Sequence, residues 1–318
     1  MRERKEIGIL KSIRHFRKNA HMAPFTPRAI QIQTQSVCNG RCVYCPYPEI
    51  SKKVAQGKME WTTFVKIADE ITQWKDLRFV EFMLQNEPLM DKDLFKIVRY
   101  IKSIKPQLKV GIVTNAMFLD KAKAEEMAES GLDEVKISLD SFEKKTYEEL
   151  HPGFSFDRVL EAIDLVSKLR KNNLSVIISF VMSSKNAAEF RRFVEFVKSK
   201  GLRWHAKYLL NRANNVKDYN DVRLTKYSWR HLKLCMLYKF IYRTCSTPFI
   251  AMSVLFNGDV IICGQDWGHE IVIGNVKNSS LLDIWDSDMY NGLRQKLADR
   301  RYSDVKTCSA CTIAEMSS

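Results

Sequence analysis

The stretch AIQIQTQSVCNGRCVYCPYP, Ala29 to Pro48, opens on a strict apolar–polar alternation and runs straight into a loop that packs Cys38, Cys42 and Cys45 into eight residues. Alternation of that kind is the signature of a half-buried strand, so the three thiols sit where a strand ends. A cubane of four irons asks for four thiolates, and a structural zinc site also closes on four ligands. Three in one loop leave two readings: a fourth ligand from elsewhere in the chain, or a position left open for a small molecule. An open position is what separates a catalytic metal site from a closed one. Zinc is the rival metal, but zinc sites favour cysteine pairs and no His follows at ligand spacing.

Working outward from the loop, apolar runs alternate with amphipathic stretches. Strand patterns recur at FVEFML, KVGIVTN, DEVKISLD, LSVIISFVM and RWHAKYLL. Helical spacing separates them, in TTFVKIADEITQW, DKDLFKIVRYIKSIK (with an Asp at its start as a cap), LDKAKAEEMAES, SFDRVLEAIDLVSKLRKN and AAEFRRFVEFVKSKG. Strands each followed by one helix, with no hairpin signal between them, make parallel βαβ units. Six units fall two short of a closed eight-fold barrel. The expected fold is therefore α/β, a partial (β/α)6 TIM-like barrel over residues 28–215, with ligands at the C-terminal ends of its strands. The cysteine loop begins at that face.

After about Leu210 the rhythm breaks. Residues 216–318 are expected to form a linker helix, LTKYSWRHLKLCMLYKFIYRT, and a small Cys-rich α+β domain with a hairpin signal at Asn257-Gly258. Residues 1–27 form a basic segment. The formal net charge is +14, which suits an anionic partner or a lysine-rich solvated surface. No aromatic-interleaved nucleic-acid motif accompanies the charge, so nucleic acid is not the expected partner. No apolar run approaches a membrane span and no secretory signal opens the chain, which makes a cytoplasmic location the default. In a reducing compartment, clustered cysteines bind metal or do chemistry rather than pair. The eight here fall in two clumps, with Cys235, Cys245, Cys263, Cys308 and Cys311 in the second.

CNGRCVYC, at the mouth of a partial barrel, resembles the signature of the radical S-adenosylmethionine (SAM) superfamily. The resemblance implies a [4Fe–4S] cluster on Cys38, Cys42 and Cys45, with SAM chelating the open iron. SAM cleavage would yield a 5′-deoxyadenosyl radical that abstracts a substrate hydrogen. Tyr44 matches the residue that packs near the adenine. Gln85-Asn86-Glu87-Pro88 stands where the family often has Gly-Gly-Glu-Pro, which holds the SAM amino group. Both glycines are replaced, while Glu87 and Pro88 are kept; Asn86 goes with them as a cofactor-binding candidate. Asn115 in VTNAM resembles the family's Thr-Asn-Gly motif. Ser138 and Asp140 fit its "SLD" on the fourth strand, and Lys136 shares their face as a candidate catalytic base. Ser179 and Met182 on the fifth strand, and His205 and Lys207 on the sixth, are weaker candidates.

The second clump, taken on arithmetic alone, also permits zinc. Cys245, the Gly258-x4-Cys263 hairpin, Gly274-Asn275, SLLDIW and Cys308-x2-Cys311 resemble the twitch domain, the shortened SPASM extension of many radical SAM enzymes. The resemblance implies a second, auxiliary [4Fe–4S] cluster held by Cys245, Cys263, Cys308 and Cys311, acting as an electron conduit. The spacing is similar to that of aminocyclitol-dehydrogenating twitch enzymes. Such a protein would be an oxidoreductase or epimerase, served by a reductant such as flavodoxin or ferredoxin. In an epimerase Cys235 would return a hydrogen atom to the substrate radical; otherwise it is a core cysteine. A small polar substrate of sugar or aminocyclitol type, anionic in keeping with the basic charge, is favoured. A ribosomally made peptide is the alternative substrate, and a metal-stabilised nucleic-acid-binding module is the remote alternative function.

Overall fold

The computed structural model describes residues 26–168, 174–224 and 245–312. Six parallel strands follow the expected alternation: β1 (Ala29–Ile32), β2 (Phe79–Glu81), β3 (Lys109–Thr114), β4 (Glu134–Ser138), β5 (Ser175–Met182) and β6 (Arg203–Tyr208). Between them run α1 (Trp61–Thr72), α2 (Leu94–Ile104), α3 (Lys121–Glu129), then α4 (Lys144–Leu150) with α5 (Phe156–Lys168), and α6 (Phe190–Ser199). Each of the long helices buries one stripe, such as Phe64, Ile67, Ala68 and Ile71 on α1. That stripe covers the outward residues of the strands, Ile30, Val80, Val110, Val135 and Ile137 among them, in one continuous core. The strands therefore alternate between a helix-facing apolar side and a partly polar inner side, which the burial of β4 follows residue by residue.

Two local expectations change. The first strand-to-helix turn after β2 is not closed by an Asp side-chain cap: Asp93 at the N-cap of α2 makes no capping bond. It pairs instead with Lys58, while Asp91 accepts the Asp93 N–H at 3.0 Å. The crossover from β4 to β5 also carries an extra helix, α4, whose end delivers His151 to the barrel mouth.

The C-terminal part does not stand apart from the barrel sheet. Strand β7 (Ala251–Val254) pairs in parallel with β1, Ala29 opposite Ala251 through Ile32 opposite Val254. The hairpin at Asn257-Gly258 then turns into β8 (Asp259–Ile261), and β9 (Val272–Asn275) follows antiparallel. One sheet of nine strands results, in the order β6-β5-β4-β3-β2-β1-β7-β8-β9. Gly258, at φ +92°, takes the left-handed turn position that a side chain resists. Helices α7 (Leu281–Trp285) and α8 (Asp288–Ala298) pack behind, locked by the buried Arg294, whose guanidinium lies 3.8 and 3.7 Å from the ring centres of Trp285 and Tyr290. No helix among the described residues is long and apolar enough to cross a membrane. The linker helix expected around Cys235, Cys235 itself and most of the basic N-terminal segment lie outside the described residues.

Candidate active site

The C-terminal ends of the parallel strands open into a cavity of about 370 Å³. One wall is the cysteine loop. Cys38, Cys42 and Cys45 all line it, as do Tyr44 and the turn residues Asn86 and Glu87. Gly40 leaves space among the sulfurs: a Cβ there would meet the Cys38 and Cys42 Sγ atoms at 3.3 and 3.5 Å and Phe154 at 3.3 Å. Its backbone N–H donates to Cys38 Sγ at 3.3 Å. Burial pushes all three thiols up, Cys38 to about 12; Glu87 and Cys45 add to the rise at Cys38, Cys45 and Cys38 add to it at Cys42, and Arg212 opposes it at Cys45. Such thiols ionise only beside a strong cation, which iron supplies. The same holds for Cys245, Cys263 and Cys308, raised by burial and then by their mutual proximity; Cys263 lines the cavity. Among the described residues no three His, Cys, Asp or Glu groups close on a single metal ion. Thiolates of a cubane bind separate irons and need not converge on one point, so both donor sets fit clusters better than zinc.

The expected ligand-facing groups Asn115, Ser138, Asp140 and Ser179 also line the cavity. Glu87, 2% exposed, anchors the turn: it accepts Thr114 Oγ1 at 2.5 Å, Asn115 N at 2.8 Å and Leu89 N at 3.0 Å. Burial raises its carboxyl to about 7 against those lowering bonds. Asn115 Nδ2 reaches back to Asn39 Oδ1 at 2.9 Å, tying the third-strand turn to the cysteine loop. Asp140 accepts Val181 N at 2.6 Å and the Tyr44 hydroxyl, and that hydroxyl lies 3.0 Å from His151 Nε2. His151 Nδ1 in turn lies 3.1 Å from Cys42 Sγ. The chain Asp140–Tyr44–His151–Cys42 thus ties the cysteine loop to the end of β4 and to the end of α4.

Three expected residues lie elsewhere. Met182 packs against the core, because Ser179 and Val181 already occupy the inward positions of β5 and a strand alternates. Pro88 is buried at the start of a short 3-10 turn, where its ring shapes the backbone rather than lining the cavity. Lys136 lies deeper on its face, bonded to Glu81 at 3.0 Å across the side-chain-free Gly111 of β3 and to Glu134, two residues back on its own strand, at 3.2 Å. Burial lowers its pKa, but those two carboxylates more than offset it, and the net shift is upward. An ammonium so held is a poor base, and it lies outside the cavity lining. Lys207, a weaker candidate, lines the cavity instead, while His205 does not. Lys207 is open to solvent on the cavity side, yet the protein crowding it and then Arg212 bring its pKa down to about 8. Arg212, Thr247, Gln265 and Trp267 complete the wall and carry no sequence signal, since each reaches the cavity from a loop end.

A partial parallel barrel with a three-thiol loop at its mouth defines a SAM-radical enzyme, and the comparisons agree. Residues 32–197 match the family model "Radical SAM superfamily", and residues 245–312 match the SPASM "Iron-sulfur cluster-binding domain". The chain belongs to the radical SAM superfamily, and its cofactors are SAM and [4Fe–4S] clusters. Among curated relatives, GTP 3′,8-cyclase of Limosilactobacillus fermentum is 32% identical over 178 residues, 53% of this chain and 50% of that protein. The Listeria welshimeri enzyme of the same name is 30% identical over 204 residues, 57% of this chain and 58% of that protein. This chain thus spans about half the length of the curated relatives it matches. Among solved structures, BtrN in complex with AdoMet and 2-DOIA superposes with a TM-score of 0.65 at 18% identity, covering 92% of this chain and 96% of that one. Streptococcus suis SuiB bound to S-adenosylmethionine gives 0.69 at 20% identity, covering 89% and 71%. The curated relatives carry the name of a cyclase, so the expectation of an oxidoreductase or epimerase is not carried by them.

Proposed function

We propose that this radical SAM enzyme abstracts a hydrogen atom from a small phosphate-bearing substrate, a sugar phosphate or a nucleotide, seated between the cysteine loop and the β6 side of the cavity. One observation carries the reading: Lys207 and Arg212 both line that side of the cavity, and neither is held in an ion pair among the described residues. Arg212 Nε is buried without a hydrogen-bond partner. Arg212 adds to the lowering of Lys207, while burial is what lowers Arg212 itself. The nearby carboxylates are engaged, Asp140 with Tyr44 and Val181, Glu81 with Gln31 and Lys136. Two like charges side by side in a recess are relieved by an anion placed between them. SAM bound at the first cluster supplies the deoxyadenosyl radical; the chain's own residues hold the substrate, keep the turn in place and wall off water. The name of the GTP 3′,8-cyclase relatives supports an anionic substrate. A peptide substrate is the second reading, supported by likeness to SuiB, solved with its precursor peptide SuiA.

The test is deuterium transfer into 5′-deoxyadenosine from perdeuterated candidates, with reconstituted enzyme, SAM and dithionite. Sugar phosphates and nucleotides are expected to transfer label, their dephosphorylated forms far less. Equal transfer from neutral polyols, or transfer only from peptides, overturns the anionic reading. Once a substrate is in hand, Cys235→Ala separates outcomes: it spares an oxidation and abolishes a stereochemical inversion.

A further inference from the structure

Gln85 stands where the SAM-binding turn of the family often has a glycine, and its backbone keeps a left-handed conformation, φ +58°. A glutamine persists there only when its surroundings over-determine it. They do so through the side chain. Gln85 Nε2 donates to the carbonyl of Asp266 at 3.0 Å and more weakly to that of Gly264 at 3.4 Å. Its Oε1 lies 3.0 Å from His269 Nε2, and an amide oxygen only accepts, so the imidazole donates. All three partners belong to the loop that starts at the auxiliary-cluster ligand Cys263.

That loop is fitted closely to the barrel. A Cβ on Gly264 would meet Leu84 Cδ1 and Gln31 Oε1, each at 3.1 Å. Asp266, 1% exposed, braces the loop from inside, accepting Glu270 N at 3.1 Å, Ile271 N at 2.9 Å and Thr307 Oγ1 at 3.0 Å, next to Cys308. His269, at φ +51°, is a second strained residue held by the same contact. Trp267 of the loop lines the cavity, and its indole N–H is buried without a hydrogen-bond partner.

We propose that Gln85 is a positioning residue that couples the SAM-binding turn to the auxiliary-cluster loop, so that SAM bound at the turn orders residues 263–270 and sets Cys263 and Trp267 in the cavity wall. The replaced glycine is then a gain of function: the strained backbone is retained, and the side chain reaches a loop about 180 positions along the chain. The coupling concerns SAM alone and stands whether or not the substrate is anionic.

The test is hydrogen–deuterium exchange of the reconstituted holoenzyme, with and without SAM and with no substrate, in wild type, Gln85→Ala and His269→Ala. In wild type, SAM slows exchange severalfold in peptides covering 263–270 as well as in β3–β5. In Gln85→Ala the β3–β5 response persists and the loop response is lost; His269→Ala loses part of it and guards against misfolding of the first variant. SAM also shifts the auxiliary cluster's midpoint potential in wild type and not in Gln85→Ala. A loop response that survives Gln85→Ala, or its absence in wild type, overturns the proposal.

Discussion

Replacing Lys207 separates a binding cation from a catalytic base. With its pKa drawn down to about 8 by the protein crowding it and by Arg212, the ammonium is about 90% protonated at pH 7 and about 10% at pH 9. A group whose pKa is lowered from 10.5 loses its charge as pH rises through 8. Affinity for an anion that needs the ammonium therefore falls toward tenfold per pH unit above 8. Removing the group outright, as in Lys207→Met, deletes a charge-assisted hydrogen bond of about 1.5–3 kcal/mol. At about 1.4 kcal/mol per decade that weakens binding roughly 10- to 150-fold. The assay is calorimetric titration of the SAM-loaded holoenzyme with inorganic pyrophosphate between pH 7 and 9. Lys207→Arg stays charged throughout, so its profile reports the ligand's own ionisation, which strengthens binding as pH rises. The wild-type curve should fall below that reference above pH 8. Parallel curves, or a Lys207→Met dissociation constant within twofold of wild type, refute the reasoning.

Three further outcomes are open to direct measurement. Replacing Cys38, Cys42 and Cys45 together by Ala leaves about four irons of about eight per reconstituted chain, because a four-cysteine set holds its own cubane; an iron count checks it. Arg294→Met strands the carbonyls of Pro248 and Trp285, which its guanidinium binds at 2.9 and 2.5 Å. Orphaned buried acceptors cost about 1–3 kcal/mol each, so thermal unfolding shifts down and auxiliary iron is lost first, since Pro248 lies just after Cys245. Gly57→Ala drives a Cβ to within 2.5 Å of Phe256 Cε2; overpacking of that kind costs about 1–3 kcal/mol, which denaturant unfolding would register without loss of first-site iron.

The barrel was legible because its elements announce themselves locally. Strands β1 to β5 carry alternating or apolar runs, the polar β6 follows from the strand–helix rhythm, and the helices between them bury a single stripe, so none needs a distant partner to be recognised. The cysteines were legible for the same reason, being close in sequence. Depth and partners were not. Spacing places Glu134, Lys136, Ser138 and Asp140 on one face, but only sheet register brings Glu81 to Lys136 and leaves Lys207 facing the cavity. His151 arrives on the end of an unforeseen seven-residue helix, and Arg212 from an irregular turn with three successive left-handed residues, Arg212, Ala213 and Asn214.

Strand β7 shows what such misses have in common. Four residues, Ala251–Val254, give no periodic signal, and their partner β1 lies at the other end of the chain. Yet this pairing sets the geometry of the whole site. Strand β1 leads into the loop of Cys38, and β8, hydrogen-bonded to β7, ends just before Cys263. Both cluster loops therefore leave strands of one sheet that only β7 separates, and Ser253 Oγ reaches Gln31 Oε1 at 3.3 Å across the β1–β7 seam. A register shift of one residue in β1–β7 would turn every inward side chain of β7 outward. It would also carry Cys263 away from the cavity and Gln85 away from Asp266. The auxiliary domain is thus placed by backbone pairing, and the Gln85 contact adjusts a loop whose position the sheet has already fixed to within a residue.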